Sequence, residues 1–292
     1  MMTKFAGRMA AALAGVLILS GTQVHAAEVR VLASVAFRKV FDEQLPAFNR
    51  TSGHNASAQF AGATALAERL RGGESADLFF GPRQVVDELL AAGKLRRDSV
   101  VDLARSAVGM AVRKGAPRPD ISTADALRRA LLGAKGITYP DPAGGSPSAL
   151  HLLKVAGQLG IAAELKAKTR RPAEGTSGGP IMLNTGEADL AIQQNSELLI
   201  APNVELLGPL PPEFQLITIM SAAVSVDAPQ PAAASAFIQS LQTPAAAAVM
   251  RRWGLEPIAR DAIHASPIPG PDRARRLPES PGPPGHTAPT GR

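Results

Sequence analysis

Phe60-Ala-Gly-Ala-Thr-Ala-Leu-Ala67 and Asp141-Pro-Ala-Gly-Gly-Ser-Pro-Ser148 decide the reading of this chain. Each is a small-residue turn that leaves an apolar segment of strand character and opens a segment of helical period. Such turns aim unpaired backbone N–H groups, and the positive end of a helix dipole, at whatever lies beyond the strand. Neither turn holds a nucleophile, a metal-ligand cluster or a phosphate-cradling lysine. The pair therefore implies capture of an anion more readily than chemistry.

Working outward, the segments around these turns alternate. Glu28 to Leu32 reads as a short strand, and Phe37, Val40, Phe41, Leu45 and Phe48 recur at helical spacing up to Thr51-Ser-Gly53. Strands are expected at Ser57 to Phe60 and Ala76 to Phe80, with helices at Thr64 to Arg71 and Val85 to Ala92, the latter closed by Gly93. After a strand at Ala107 to Arg113 the alternation repeats: helix Thr123 to Leu132, strand Gly136 to Tyr139, helix Pro147 to Leu159. A further helix is expected from Pro180. Strands follow at Ala188 to Gln193, Leu206 to Leu210 and Leu216 to Val226, and helices at Pro231 to Leu241 and Pro244 to Trp253. Such alternation implies an α/β fold built on mostly parallel sheets flanked by helices. The expected organisation is two lobes, residues 27–107 with 225–258 and residues 108–224, hinged by two crossover strands.

The ends read differently. Lys4 and Arg8, the apolar run Met9 to Ser20 and Val24-His25-Ala26 have the form of a secretory signal peptide over residues 1–26, which implies a periplasmic protein. The run is shorter than the ~20 residues that span a bilayer. Residues 259–292 are rich in proline and poor in apolar side chains, the composition of a disordered tail. The 292-residue chain has no cysteine, so disulfides and thiol chemistry are excluded. Its formal charge of +6 is interspersed, and with few aromatic residues there is no stripe that would serve nucleic acid.

Four loops fall at strand-to-helix junctions: Ala33-Ser34-Val35-Ala36, Gly62-Ala63-Thr64, Gly145-Ser146-Pro147-Ser148 and Thr176-Ser177-Gly178-Gly179. Ser146 has the sequence of an N-cap with Pro147 at the first helical position, and Gly179-Pro180 repeats the pattern. Any one loop taken alone reads as an ordinary cap. Together they offer neutral, oriented donors that bind an oxyanion without leaving a buried cation unpaired when the site is empty. Arg38 and Arg83 follow two of these loops and read as surface residues or as cations facing the cleft. Gln193-Gln194-Asn195-Ser196 is polar for the end of a buried strand; it reads either as a turn or as an amide that donates and accepts, with Gln194 the better placed. The five histidines lack metal-ligand spacing, and no nucleophile elbow or phosphate loop is present. Asp141 and Tyr139 stand near the third turn and could move a proton if desolvated, although an Asp before Pro also simply begins a turn.

Val31-Leu-Ala-Ser34, Phe60 to Ala67, Gly73-Glu-Ser-Ala-Asp77, Val86-Asp-Glu-Leu89, Asp141-Pro142, Gly186-Glu-Ala-Asp189 and Trp253-Gly-Leu255 carry a resemblance. The chain resembles the molybdate-binding components of ABC transporters, periplasmic solute-binding proteins of the type 2 fold. The resemblance implies a cofactor-free monomer, with a small anionic ligand and an inner-membrane ABC permease as partners, and no nucleic acid. It also implies a site of two serine hydroxyls, several backbone N–H groups and a tyrosine. Here Ala36 and Ala63 stand at the serine places, with Ser34 and Thr64 adjacent; Gln194 stands at the tyrosine place. Thr176 matches a backbone donor, and Ser146 to Ser148 match loosely. Each missing hydroxyl removes a hydrogen bond worth about 0.5–1.5 kcal/mol. The expected ligand is thus a small oxyanion, molybdate-like or a small organic acid. Ser34-Val-Ala-Phe37, Gly186-Glu-Ala-Asp189 and Gln193-Gln194 also resemble secreted relatives that include aconitate isomerases. That resemblance implies a double-bond shift by proton movement, with Asp141 as candidate acid. A sensor subunit would need the same ligand-driven closure.

Overall fold

A computed structural model describes residues 26–144, 146–171 and 179–259. The chain begins with β1 (Glu28–Ser34), a 3-10 turn at Val35–Phe37 and α1 (Arg38–Ser52), which Gly53 ends in the left-handed conformation at φ 71°. Then come β2 (Asn55–Ala61), α2 (Ala63–Arg71), β3 (Leu78–Pro82), α3 (Arg83–Ala91) and the long β4 (Val101–Arg113). Next are α4 (Ala124–Gly133), β5 (Ile137–Thr138), α5 (Pro147–Gln158), α6 (Ala162–Lys168), β6 (Thr169–Arg170) and α7 (Met182–Thr185). The chain closes with β7 (Leu190–Gln194), α8 (Asn195–Leu198), β8 (Val204–Pro209), β9 (Ile217–Val224), α9 (Pro231–Ser240), α10 (Pro244–Arg252) and β10 (Leu255–Pro257).

The strands run in the order β2-β1-β3-β9-β4-β7-β5-β6, with β8 and β10 also pairing with β4. Strand β4 joins two halves. Its first part, through Ala107, pairs with β9; its second, from Val108, pairs with β7 and β8. The apolar interior divides at the same point. One pair of clusters draws on residues 27–104 and 220–255, including Phe37, Phe41, Phe80, Phe237, Leu66 and Leu89. The other pair draws only on residues 108–214, including Met110, Leu127, Ile137, Leu152 and Ile192.

Two expectations change, and the returning strand finds its neighbours. Strand β4 starts at Val101, six residues earlier than its apolar run suggests, because Asp102 and Arg105 interrupt the hydrophobic pattern while the backbone stays paired with β9. Asp102 is held there by Arg83 and by the Ser221 hydroxyl, 2.6 Å away. Strand β9, read in the sequence as the apolar strand that can return the chain, lies between β3 and β4, and its Met220, Ala222, Ala223 and Val224 are buried in the first-half clusters. The helix expected from Pro180 is a 3-10 turn, Gly179–Ile181, followed by the single turn of α7, since Gly186 at φ 76° stops it. Helix α6 and strands β6 and β10 were not expected; each is short, and β10 is fixed by pairing with β4 rather than by its own sequence. The expected leader, apart from Ala26, and the expected tail beyond Ala259 lie outside the described residues, as do Thr176, Ser177 and Gly145.

Candidate functional site

Strand polarity fixes where the turns point. β1, β2 and β3 are mutually parallel, and β3 is antiparallel to β9, itself antiparallel to β4. Their carboxyl ends therefore point along β4 toward its crossing at Ala107-Val108. In the other half β5 is parallel to β7, and β7 is antiparallel to β4, with Gln194 opposite Val108. Its carboxyl ends point back toward the same crossing. Two sets of strand ends, with the turns that follow them, thus face one another from opposite sides, and α8 packs on the 3-10 turn after β1. Open α/β sheets hold ligands beyond such ends.

In the first turn Ser34 caps Val35–Phe37; its Oγ accepts from the Ala36 N–H at 3.4 Å, which leaves the hydroxyl hydrogen free to donate. Ser34 and Ala36 are both buried. Phe37 pins the turn, with ring centroids 5.4 Å from Phe41 and 5.5 Å from Phe80. In the second turn Gly62 opens α2 with no side-chain cap. The first helical bond runs from Leu66 N–H to Gly62 C=O, so the amides of Ala63, Thr64 and Ala65 precede the ladder. Ala63 is half-buried and Thr64 exposed. The Arg38 guanidinium lies over the ring of Phe60, 4.3 Å from its centroid, at the end of β2. Arg83 instead pairs with Asp87 at 2.9 Å and Asp102 at 3.0 Å, so its charge is neutralised locally.

The third turn behaves differently from its sequence. Ser146 occupies the N-cap of α5 with Pro147 next, but its hydroxyl does not cap; it pairs with the Ser148 hydroxyl at 3.1 Å. Helical bonding starts at Leu150 N–H, so the Ser148 and Ala149 amides precede it. Asp141 is exposed, accepts from the Ala143 N–H at 3.1 Å and lies 4.0 Å from Arg171: it begins a turn. Tyr139 is buried with its hydroxyl 3.0 Å from Thr169, on the β6 side. Of the fourth loop, Gly179 is described. A β-carbon there would sit 3.5 Å from Thr138 Oγ1 and 3.9 Å from Gln193 Oε1, which seats the loop's end on the carboxyl ends of β5 and β7.

The end of β7 carries the residues that sequence reasoning only half found. Gln194 is 4% exposed, and its Oε1 is buried without a hydrogen-bond partner, as are Asn195 Oδ1 and Ser196 Oγ in the next two residues. Unpaired buried polar atoms are rare and costly, and three successive residues carry them here, which makes the end of β7 a candidate site. Because the two ends of an amide interchange by a half-turn, Gln194 can present N–H as readily as C=O there. Asn195 and Ser196 also form the seam with the first half. A β-carbon on Gly254, whose φ is 76°, would lie 3.0 Å from Asn195 and Ser196 backbone atoms. One on Gly109 would overlap Asn195 Oδ1. Glu197, one residue beyond the polar run noted in the sequence, is half-buried and accepts a hydrogen bond on Oε2 from Gln193 Nε2. Burial pushes its carboxyl up to about 7, against the opposing effect of that bond. The signal in sequence was the unbroken polar run Gln193 to Glu197 after the apolar β7.

Among the described residues no group of His, Asp and Glu is arranged to hold a metal ion, and no helix is long and apolar enough to cross a membrane. A separate cavity of about 600 Å³, lined by Val112, Ala126, Ala130, Leu183 and Leu190 with Arg129 and Lys135, opens at the amino ends of β5 and β7. It is at the opposite end of those strands from the turns and is mainly apolar.

Residues 29–256 match the bacterial extracellular solute-binding protein family, and the chain belongs to it. It is 34% identical over 255 residues to the aconitate isomerase of a Pseudomonas species, a match covering 84% of this chain and 95% of that protein. The fold is that of periplasmic binding proteins. The periplasmic molybdate-binding protein of Azotobacter vinelandii superposes with TM-score 0.64 at 17% identity, over 78% of this chain and 98% of that one. The sulfate-binding protein of Mycobacterium tuberculosis superposes with TM-score 0.62 at 19% identity, over 84% and 93%.

Proposed function

We propose that this protein captures a small oxyanion, molybdate-like or a small organic acid, at the crossing of β4, and delivers it to an ABC permease. Support comes from two helix starts without side-chain caps, Ala63 to Ala65 and Ser148 to Ala149, after strands whose carboxyl ends are directed toward the β4 crossing, and from the buried Gln194 Oε1 without a hydrogen-bond partner at the end of β7. Aligned N–H groups and helix dipoles hold negative charge without needing a buried cation. Ser34 adds a hydroxyl donor, and Thr176 is a further donor by family resemblance. Residues 27–107 with 225–258 and residues 108–224 would form two lobes that close on the ligand about the β4 crossing. A cleaved leader would deliver the chain to the periplasm, consistent with its family. Thermal-shift titration with molybdate, tungstate, sulfate, citrate and cis-aconitate tests the reading. A ligand at about 100 times its Kd adds roughly 2.7 kcal/mol and raises Tm. No shift with any of them at millimolar concentration would contradict it.

A second reading, cofactor-free isomerisation of an unsaturated tricarboxylate, is favoured by two observations. One is the 34% identity to an aconitate isomerase across nearly its whole length. The other is Glu197, a carboxyl that titrates near neutrality at the end of β7. Conversion of cis- to trans-aconitate by the purified protein would support it.

A further inference from the structure

We propose that Arg38 is a specificity-determining residue of this site: its guanidinium receives a second carboxylate of the ligand. Small organic acids with two or more carboxylates are thereby held in preference to compact tetrahedral oxyanions. The inference rests on anion capture at the β4 crossing and adds a cation to donors that are otherwise neutral.

The position follows from the run of α1. Asn49, near the end of the helix, bonds Ala56 near the start of β2, and Arg38, at its beginning, lies over Phe60 near the end of that strand. The first turn of α1 therefore stands at the carboxyl end of β2, where Gly62 opens α2. The Arg38 N–H bonds the Val35 C=O, which sets Arg38 about one helical turn, roughly 5 Å, beyond Ser34. Long side chains on a helix lean toward its amino end, here the end directed at the crossing. Phe60 is itself fixed, in register with Ala33 and edge-on to Phe41 at 6.0 Å, so the guanidinium has a rigid seat 4.3 Å from the ring centroid. Helix α8 of the second half packs on the same turn after β1.

The charge at this place is uncompensated. The other arginines sheltered from water are neutralised: Arg69 by Glu74, Arg71 by Glu68 and Glu88, Arg83 by Asp87 and Asp102. Among the described residues, Arg38 is half-buried with no ion pair and no side-chain hydrogen bond, whereas every other unpaired arginine is exposed. Its neighbour Lys39 is committed to Asp42 at 4.0 Å and to the Trp253 ring. The first turn of α1 holds no acidic residue, so Arg38 adds its charge to the positive end of a 15-residue helix. An anion bound there relieves both. Unlike Gln194 Oε1, the Arg38 nitrogens are not sealed from solvent, and a ligand can reach them.

A guanidinium presents five N–H donors in a planar fork that fits a carboxylate through two parallel bonds, and its seat over a ring leaves those donors free. The turn amides serve any anion. A tetrahedral oxyanion seated on them has all its oxygens on one central atom and leaves the guanidinium, a helical turn away, without a partner. An acid with two carboxylates on a short carbon skeleton sets one on the amides and the other on Arg38.

Calorimetric titration at fixed ionic strength with sulfate, molybdate, propionate, tricarballylate and citrate tests the assignment. The wild-type protein is expected to bind one of the two tricarboxylates at least ~10-fold more tightly than sulfate, molybdate or propionate. Arg38→Gln should weaken that tricarboxylate at least ~30-fold, a loss at least ~10-fold larger than its loss for sulfate. Arg38→Lys keeps the charge without the fork and should recover only part of the affinity. Wild-type binding of sulfate or molybdate as tight as that of the tricarboxylates, or equal losses across the panel in Arg38→Gln, would overturn the inference and leave anion capture standing. Absence of binding to every anion would overturn both. Should Arg38→Gln not fold, the wild-type order and Arg38→Lys decide, and a lysine variant with undiminished tricarboxylate affinity would overturn the inference.

Discussion

The two sides of the crossing are built on opposite principles. On the first-half side, the turns after β1 and β2 present small residues, a hydroxyl already anchored by Ala36, and backbone amides; every polar side-chain atom there is satisfied or in water. On the second-half side, the end of β7 packs five polar residues in a row, three of them with buried atoms that have no partner, and ends on a carboxyl pushed up to about 7. Backbone amides serve any anion of suitable size and cost nothing when unoccupied, since water reaches them. Buried side-chain atoms without partners and a desolvated carboxyl are instead a cost to stability, which a ligand that paired with them would offset. On the proposed reading, the first side would supply affinity for negative charge and the second would discriminate among the anions so held.

Disrupting the seam between the sides should have the largest effect. Gly254→Val puts a branched side chain at φ 76° against the Asn195 and Ser196 backbone, and is expected to cost about 3 kcal/mol in chemical denaturation. It should also abolish ligand-induced stabilisation, because α8 is pushed from the turn after β1.

Glu197→Gln should stabilise, and only at neutral to alkaline pH. The folded state keeps the Glu197 proton up to about 7 whereas the unfolded chain releases it near its ordinary value of 4.5. Between those two values the native state binds more protons, so wild-type stability falls as pH rises. The variant escapes this loss: it should match wild type at acidic pH and exceed it by roughly 1–3 kcal/mol above neutrality in urea melts. A variant less stable than wild type above neutrality would show that Glu197 is not penalised by burial.

Gln194→Met should separate stability from binding. Removing an unpaired buried amide is expected to raise the empty protein's stability by about 1 kcal/mol while ligand affinity falls roughly tenfold. Equal affinity, measured by calorimetry, would remove Gln194 from the site. On the other side, Thr64→Ala is expected to change stability by less than about 0.5 kcal/mol, since Thr64 is exposed and its amide remains. An affinity loss as large as that of Gln194→Met would erase the proposed division of roles.

Much of the scaffold was legible because local chemistry and tertiary position agree. The spacing of Phe37, Phe41 and Phe48 matches α1, and Gly53 and Gly93 take the left-handed conformations that their places after helices require. Agreement failed where pairing overrides local pattern: at the start of β4, with Asp102 and Arg105, and at the three-residue β10. The turn positions could be read because Gly and Ser mark chain direction. Which donors are free could not, since the Ser146 hydroxyl turns to Ser148 instead of capping α5. Glu197 was illegible for a related reason: in sequence it is one more surface glutamate, and only burial by the folded halves makes it titrate near neutrality.

The central claim is that amides from both halves converge on one anion at the crossing of β4. Backbone NMR during titration with the tightest-binding anion tests it most directly. The account predicts that the amide resonances of Ala63, Thr64, Ala65, Ser148 and Ala149 and the Gln194 side-chain amide shift together, along one binding curve. Shifts confined to one half, or centred on the Arg129 and Lys135 cavity at the other end of β5 and β7, would contradict it.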